Sequence, residues 1–287
     1  MPEAPMPGAQ PDLAHAPGVP LTVTLLGTGT STGVPVIGCA CAVCTSADPR
    51  DRRLRASAHV VAHAAAGPVH LQIDAGPDLR RQALAHGLAA VDAVLVTHEH
   101  FDHVVGLDDL RPFFFANRRA APVLAPPSAA RALRAMFGYI FEDGTYPGVS
   151  RLELREVDPT GGAIAVESRG GSGARVAVEP IPAMHGALPI VGWRVGAFAY
   201  LTDVSAVPEA SVARLAGVDT LVLDGLRPEP HPSHLSFDEA VEVAARIGAR
   251  ETWLTHLTHL VPHADVEARL PDGVRPAYDG LVLNVGG

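Results

Sequence analysis

The segment THEHFDH, residues 97–103, places His98, His100, Asp102 and His103 directly after the apolar run VDAVLV. Four side chains of metal-ligating type therefore leave one loop within six residues. Positions 98 and 100 of an extended segment point the same way, while Asp102 and His103, on the following turn, address a second point a few ångströms off. A loop of this kind can serve two divalent cations about 3.5–4 Å apart, which polarise a phosphoryl or carbonyl group and make a water nucleophilic at neutral pH.

A second cluster, Cys39, Cys41 and Cys44 in GCACAVC, puts three thiols within six residues. Three is one short of a closed tetrahedral zinc site. They are too close together to form a disulfide framework, so a reducing compartment is expected.

Composition narrows the chemistry further. All 22 basic residues of the 287 are Arg. Without Lys, neither a Schiff-base lysine nor a phosphate-loop lysine is available. Against 31 acidic residues the formal charge is −9, which disfavours a long nucleic-acid footprint. No run approaches the roughly 20 apolar residues of a membrane span. The first basic residue is Arg50, so the start lacks the positive flank of a signal peptide. The expected location is the cytoplasm, away from the membrane.

These loops need elements to hold them. Residues 1–20 contain six Pro and read as a disordered tail, with one domain over 21–287. Apolar patterning predicts strands at LTVTLLGTGT, which runs into a Gly/Thr turn, and at SAHVVAHA, VHLQIDAG, VDAVLVTH, RVAVEPIPA, IVGWRV, FAYLTD, DTLVLDG and ETWLTH. Helices are predicted in PDLRRQALAHG, LDDLRPFFFANRR, SAARALRAMFGYIF, SAVPEASVARLAG and SFDEAVEVAARIG, the last opened by a Ser236–Glu239 capping box. Residues 160–175 read as a flexible hairpin. A strand meander that later alternates with helices suits an α/β (α+β) fold of two packed sheets with helices outside.

HxHxDH after a strand resembles the signature of the metallo-β-lactamase-fold hydrolases, and the similarity runs from about Leu21 onward. It implies a four-layer αββα sandwich of two mixed sheets. IDAG at 73–76 resembles that superfamily's first motif, which gives Asp74 a loop-orienting role. His185 in PAMHG, Asp203 in YLTD and His256 in WLTH follow in the order the resemblance requires. It implies one metal on His98, His100 and His185, a second on Asp102, His103 and His256, and Asp203 bridging them.

The Cys loop, together with GTGTSTGVPVIG, THEHFDHVVGLDDLRPF and HLSFDEA, is similar to the PhnP-type phosphodiesterase group, whose named member opens phosphoribosyl 1,2-cyclic phosphate. That resemblance implies a structural Zn²⁺ on Cys39, Cys41, Cys44 and His259, and two catalytic Zn²⁺ or Mn²⁺ ions. It also places His234 opposite the metals as a phosphate-binding or proton-donating group, with Asp102 and Asp203 completing the catalytic set. His231, in the same loop, reads as a bystander. Arg111 and Arg227 are candidate phosphate clamps.

The expected activity is hydrolysis of a small, cyclic or linear, phosphodiester, by a monomer or a homodimer. A tRNase Z-like nuclease shares the metal motif, but its substrate arm has no room in the 17 residues between His185 and Asp203. Thioesterases and lactonases on the same fold are further alternatives. A non-enzymatic alternative is the group of pyrroloquinoline quinone biosynthesis, which carries a similar Cys loop but departs from HxHxDH.

Overall fold

A computed structural model describes residues 18–117, 119–141, 148 and 151–286. The tail expected over 1–20 lies outside these, apart from residues 18–20. Sheet one is built from β1 (Leu21–Gly27), β2 (Ser57–Ala64), β3 (Gly67–Ile73), β4 (Ala93–Leu95), β5 (Ala121–Ala125) and β6 (Leu152–Glu156). Sheet two holds β7 (Ile164–Glu167), β8 (Arg175–His185), β9 (Leu188–Val195), β10 (Phe198–Leu201), β11 (Thr220–Asp224), β12 (Glu251–Thr255) and β13 (Val274–Pro276). The chain then returns to sheet one through β14 (Val282–Val285), which pairs antiparallel with β1.

The strand orders are β14-β1-β2-β3-β4-β5-β6 and β13-β12-β11-β10-β9-β8-β7. Both sheets are mixed: β3 to β6 run parallel, as do β10 to β13, and the remaining pairs are antiparallel.

Two-residue periodicity explains the layering. Val23 and Leu25 of β1, Val60 of β2 and Leu71 of β3 join Trp193, Phe198, Tyr200 and Val222 of sheet two in one inter-sheet core. The alternate residues of sheet two, among them Ala199, Leu201, Leu221 and Leu223, face outward and pack against helices. Those helices are α5 (Glu209–Arg214), α6 (Phe237–Ile247) and α7 (His263–Arg269), while α1 (Leu79–Ala85), α2 (Phe101–Val104), α3 (Arg111–Asn117) and α4 (Pro127–Phe141) belong to the side of sheet one. The result is the four-layer αββα sandwich that the resemblance implies.

Helix α6 opens with the anticipated capping box and closes on Gly248 at φ 75°, a left-handed cap that glycine adopts without steric cost. The 160–175 segment does form a hairpin, β7 with β8, but it is held rather than loose. Buried Arg169 donates its backbone N–H to Asp92 at 2.5 Å and its guanidinium to the Val91 carbonyl at 2.8 Å. Strands β5, β6, β13 and β14 and helix α7 carry no sufficient local pattern and were not foreseen. Among the described residues, no helix is long and apolar enough to cross a membrane.

Candidate metal centre

Because β8 and β10 to β12 run one way in sheet two and β3 to β5 run parallel in sheet one, their C-terminal ends gather the polar residues at one rim, where ligands of α/β sheets characteristically sit. Asp74 follows β3, His98 follows β4, His185 ends β8, Asp203 follows β10, Asp224 ends β11 and His256 follows β12. Three of these, Asp74, Asp203 and His256, have φ of 54°, 59° and 62°. Non-glycine residues in this left-handed region are costly, and such strain collects at functional sites.

The geometry groups the histidines and carboxylates as two neighbouring sets. His98, His100 and His185 bring their ligand atoms within 4.8 Å of one another, and so do Asp102, His103, Asp203 and His256. His103 Nε2 lies 3.2 Å from both Asp102 and Asp203, and His256 Nε2 lies 3.2 Å from Asp203. All members except His100 are buried.

Their far sides are fixed by hydrogen bonds. Asp74 accepts from the Thr97 N–H at 2.9 Å, the Thr97 hydroxyl at 2.8 Å and His103 Nδ1 at 2.7 Å. This orients His103 so that its Nε2 faces the cluster. His185 Nδ1 donates to the Ser233 carbonyl at 2.6 Å. Such partners fix the tautomer and ring orientation of metal-binding histidines.

Gly76 lets the metal loop come close, because a Cβ there would stand 1.9 Å from the Asp102 carbonyl oxygen. The loop is also laced down by Ala75 N–H donating to His103 O at 2.6 Å.

Four buried atoms at the centre, His98 Nε2, Asp102 Oδ2, His103 Nε2 and His256 Nε2, make no well-directed hydrogen bond, although the last three stand against carboxylate or imidazole neighbours of the cluster. Each buried polar atom left unpaired costs about 1–3 kcal/mol, so their convergence fits cation donors rather than a self-satisfied core. The electrostatics agree. Burial alone would lower His103, yet Asp203, Asp74 and Asp102 push its imidazole well above the usual histidine range. Burial would raise Asp203, but His256 and His103 hold it well below the carboxylate range. Protons thus gather where dications would otherwise balance the charge. The residues present fit two divalent ions.

The second cluster is equally compact. Sγ of Cys39, Cys41 and Cys44 lie 3.5, 3.3 and 3.4 Å from His259 Nδ1, across 215 to 220 residues of sequence. The Cys44 backbone N–H and His259 draw the Cys41 thiol down to about 6, and burial pushes Cys44 up to about 11. Three sulfurs and one imidazole are a four-donor set that could hold a metal ion. Backbone bonds from Leu257 to Thr28 and from Thr30 to Leu257 tie this knot to the strand end that carries His256.

His234 stands beside both metal sets, its ring 4.6 Å from His185 and 4.8 Å from His256, stacked on the latter at 13°. Its Nδ1 lies 3.2 Å from Asp224 Oδ2. Sequence reasoning missed Asp224, although DTLVLDG shares with LQIDAG and FAYLTD the pattern of an apolar strand ending in Asp. Burial raises the Asp224 carboxyl against the opposing pull of His234 and His256.

The two arginines expected as clamps are engaged in their own loops. Arg111 pairs with Asp108 at 2.5 Å, and Arg227 donates to the carbonyls of Glu229 and Pro230, both at 3.3 Å. The interval from His185 to Asp203 is filled by β9 and β10, with no extended arm.

Fold and site together define a class. The chain belongs to the metallo-β-lactamase superfamily: residues 70–257 match its domain, described as a β-lactamase superfamily domain. Within that superfamily its similarity is to the PhnP family. The crystal structure of a new diphosphatase from that family is 41% identical and superposes with a TM-score of 0.81, covering 92% of this chain and 97% of that one. An octanoyltransferase of Porphyromonas gingivalis is 40% identical over 90% of this chain, which spans only about half, 50%, of that protein's length. Coenzyme PQQ synthesis protein B of Methylobacterium nodulans is 30% identical over 70% of this chain and 71% of its own.

Proposed function

We propose that this chain is a metal-dependent phosphohydrolase acting on a phosphodiester or diphosphate bond of a small molecule. The observation that carries this reading is the placement of His234: buried, anchored through Nδ1 to Asp224, and adjoining both ligand sets without being needed to complete either. Two divalent ions, held by His98, His100 and His185 and by Asp102, His103 and His256 with Asp203 between, would activate water and neutralise charge on the phosphoryl oxygens.

The protein's own residues do the rest. Asp224 accepts the His234 Nδ1–H, and with both ring nitrogens protonated Nε2 donates a proton or hydrogen bond to the departing oxygen. Asp74 keeps His103 from rotating, and Ser233 does the same for His185. The acidic net charge repels polyanions at long range, so a small substrate suits the site better than a polymer.

The similarity to a PhnP-family diphosphatase supports this reading. A second reading, cleavage of an octanoyl thioester, is favoured only by the octanoyltransferase relative, of which this chain matches half.

The test is a panel assay of the Mn²⁺- or Zn²⁺-loaded protein on bis(p-nitrophenyl) phosphate, 2′,3′-cyclic nucleotides, a dinucleoside diphosphate, precursor tRNA and octanoyl thioesters. Turnover of the first three classes, lost on chelation, is expected. Thioester hydrolysis without phosphoester hydrolysis would transfer the assignment to the acyl reading.

A further inference from the structure

Beyond the metal ligands and His234, the loop HPSH at 231–234 carries a second histidine held with equal care. Ser233 donates its backbone N–H to His231 Nδ1 at 3.3 Å, and its hydroxyl lies 3.2 Å from the same atom. A backbone N–H can only donate, so Nδ1 is the acceptor and the ring's hydrogen sits on Nε2. The carbonyl of the same Ser233 takes the Nδ1–H of His185. One residue therefore fixes a metal-site histidine with its oxygen and His231 with its nitrogen and hydroxyl.

The position is rigid as well as oriented. Pro230 and Pro232 flank His231 and restrict its backbone. Arg227 closes the loop on the carbonyls of Glu229 and Pro230. Gly186, in the turn between β8 and β9, lies under it, since a Cβ there would contact Ser233 at 3.4 Å.

The His231 ring is 5.1 Å from that of His234 and tilted by 46°. His234 is buried and His231 half-buried, so His231 is the outward neighbour of the proton donor. Two imidazoles with ring centres this close can both be touched by one diphosphate, one phosphoryl group against each ring.

We infer that His231 is a second phosphoryl-binding group, its Nε2–H gripping the phosphoryl group next to the one attacked, so that the substrate carries a P–O–P linkage. This rests on the phosphohydrolase reading above. Water oxygen forms the new bond to the phosphorus at the metals, and the P–O bond to the bridging oxygen breaks with its electron pair. The bridging oxygen leaves on the second phosphoryl group, held by His231 and, where protonated, served by His234. The products are two phosphomonoesters and one released proton.

The experiment pairs two probes on the Mn²⁺-loaded protein: P1,P2-di(adenosine-5′) diphosphate, with two phosphoryl groups, and the dinucleoside monophosphate ApA, with one. His231→Ala should raise KM for the diphosphate about tenfold or more, with a change at least several-fold smaller for ApA, and His231→Gln, which keeps an N–H donor, should recover part of the loss. Calorimetric binding of the non-hydrolysable α,β-methylene analogue should weaken in parallel, with the melting temperature reporting folding. Equal losses on both probes, or none on the diphosphate, would overturn the role of His231. Cleavage of ApA but not of the diphosphate by the unmutated protein would overturn the P–O–P substrate while leaving the phosphohydrolase reading intact. Cleavage of neither, nor of any other phosphoester, would remove both.

Discussion

Asp224 Oδ2 lies 3.2 Å from Nδ1 of His234. It also accepts the Leu235 backbone N–H at 3.1 Å, while its other oxygen stands 3.8 Å from Nδ1 of His256. One buried carboxylate at the end of β11 thus sets the orientation of the proposed proton donor and faces a member of the second ligand set. Such shared anchoring couples the two functions, because a shift of Asp224 moves both rings.

His234→Ala should lower kcat by roughly 10²–10⁴ on an ester with an alkoxide leaving group, and by much less when p-nitrophenolate departs without needing a proton. Asp224→Asn should reproduce the same leaving-group contrast at smaller amplitude, since the donor remains but loses its anchor. Steady-state kinetics on matched alkyl and nitrophenyl diesters decide the matter. A uniform loss on both would assign the pair to phosphate binding instead.

Metal analysis of the purified protein should return close to three ions per chain, two in the His/Asp sets and one in the Cys3His set. Asp203→Ala should remove the two and leave the third, with hydrolysis lost. Cys41→Ser should remove the third and lower the melting temperature, because a structural zinc contributes folding free energy directly. Unchanged thermal stability in Cys41→Ser would refute the structural role.

Gly76→Ala tests the close approach of the metal loop. A methyl group 1.9 Å from the Asp102 carbonyl cannot be accommodated, and the obstacle is backbone rather than a flexible side chain. The expected outcome is a loss of one or more kilocalories of stability, about 1–3 kcal/mol, together with reduced metal retention on dialysis. Full metal content at unaltered stability would contradict the packing described.

Acid sensitivity should trace partly to His59. Burial lowers its imidazole to about 4, with His70 adding to the effect. The unfolded chain, titrating near the ordinary histidine value, binds more protons between pH 6.5 and 4, so stability falls as pH falls through that window. The loss reaches on the order of 3 kcal/mol below pH 4. His59→Leu should flatten the decline between pH 7 and 5 in denaturant melts relative to the unmutated chain. Parallel curves would locate the sensitivity in other groups.

Much of this protein could be read from local pattern. THEHFDH after an apolar strand and GCACAVC point to metal chemistry through residue type and spacing, whereas IDAG and the spaced His185, Asp203 and His256 are legible only through the resemblance to the metallo-β-lactamase-fold hydrolases. The capping box at Ser236 and the alternation in SAHVVAHA fixed α6 and β2 with no tertiary information, because both depend on contacts a few residues apart. Strand β13 is three residues long, and edge strand β6, LELRE, alternates over only five residues with a largely exposed face, too short a run to declare itself.

What only the tertiary structure decided is which side chains meet. Cys39, Cys41 and Cys44 reach His259 because β12 carries it to the N-terminal loop, and the identity of Asp224 as partner of His234 follows from the parallel pairing of β11 with β10 and β12. In the sequence Asp224 is one more acid at the end of an apolar run. It becomes an anchor because parallel strands deliver their C-terminal ends to one rim, where burial without solvent obliges each polar atom to find its partner among residues far away in the chain.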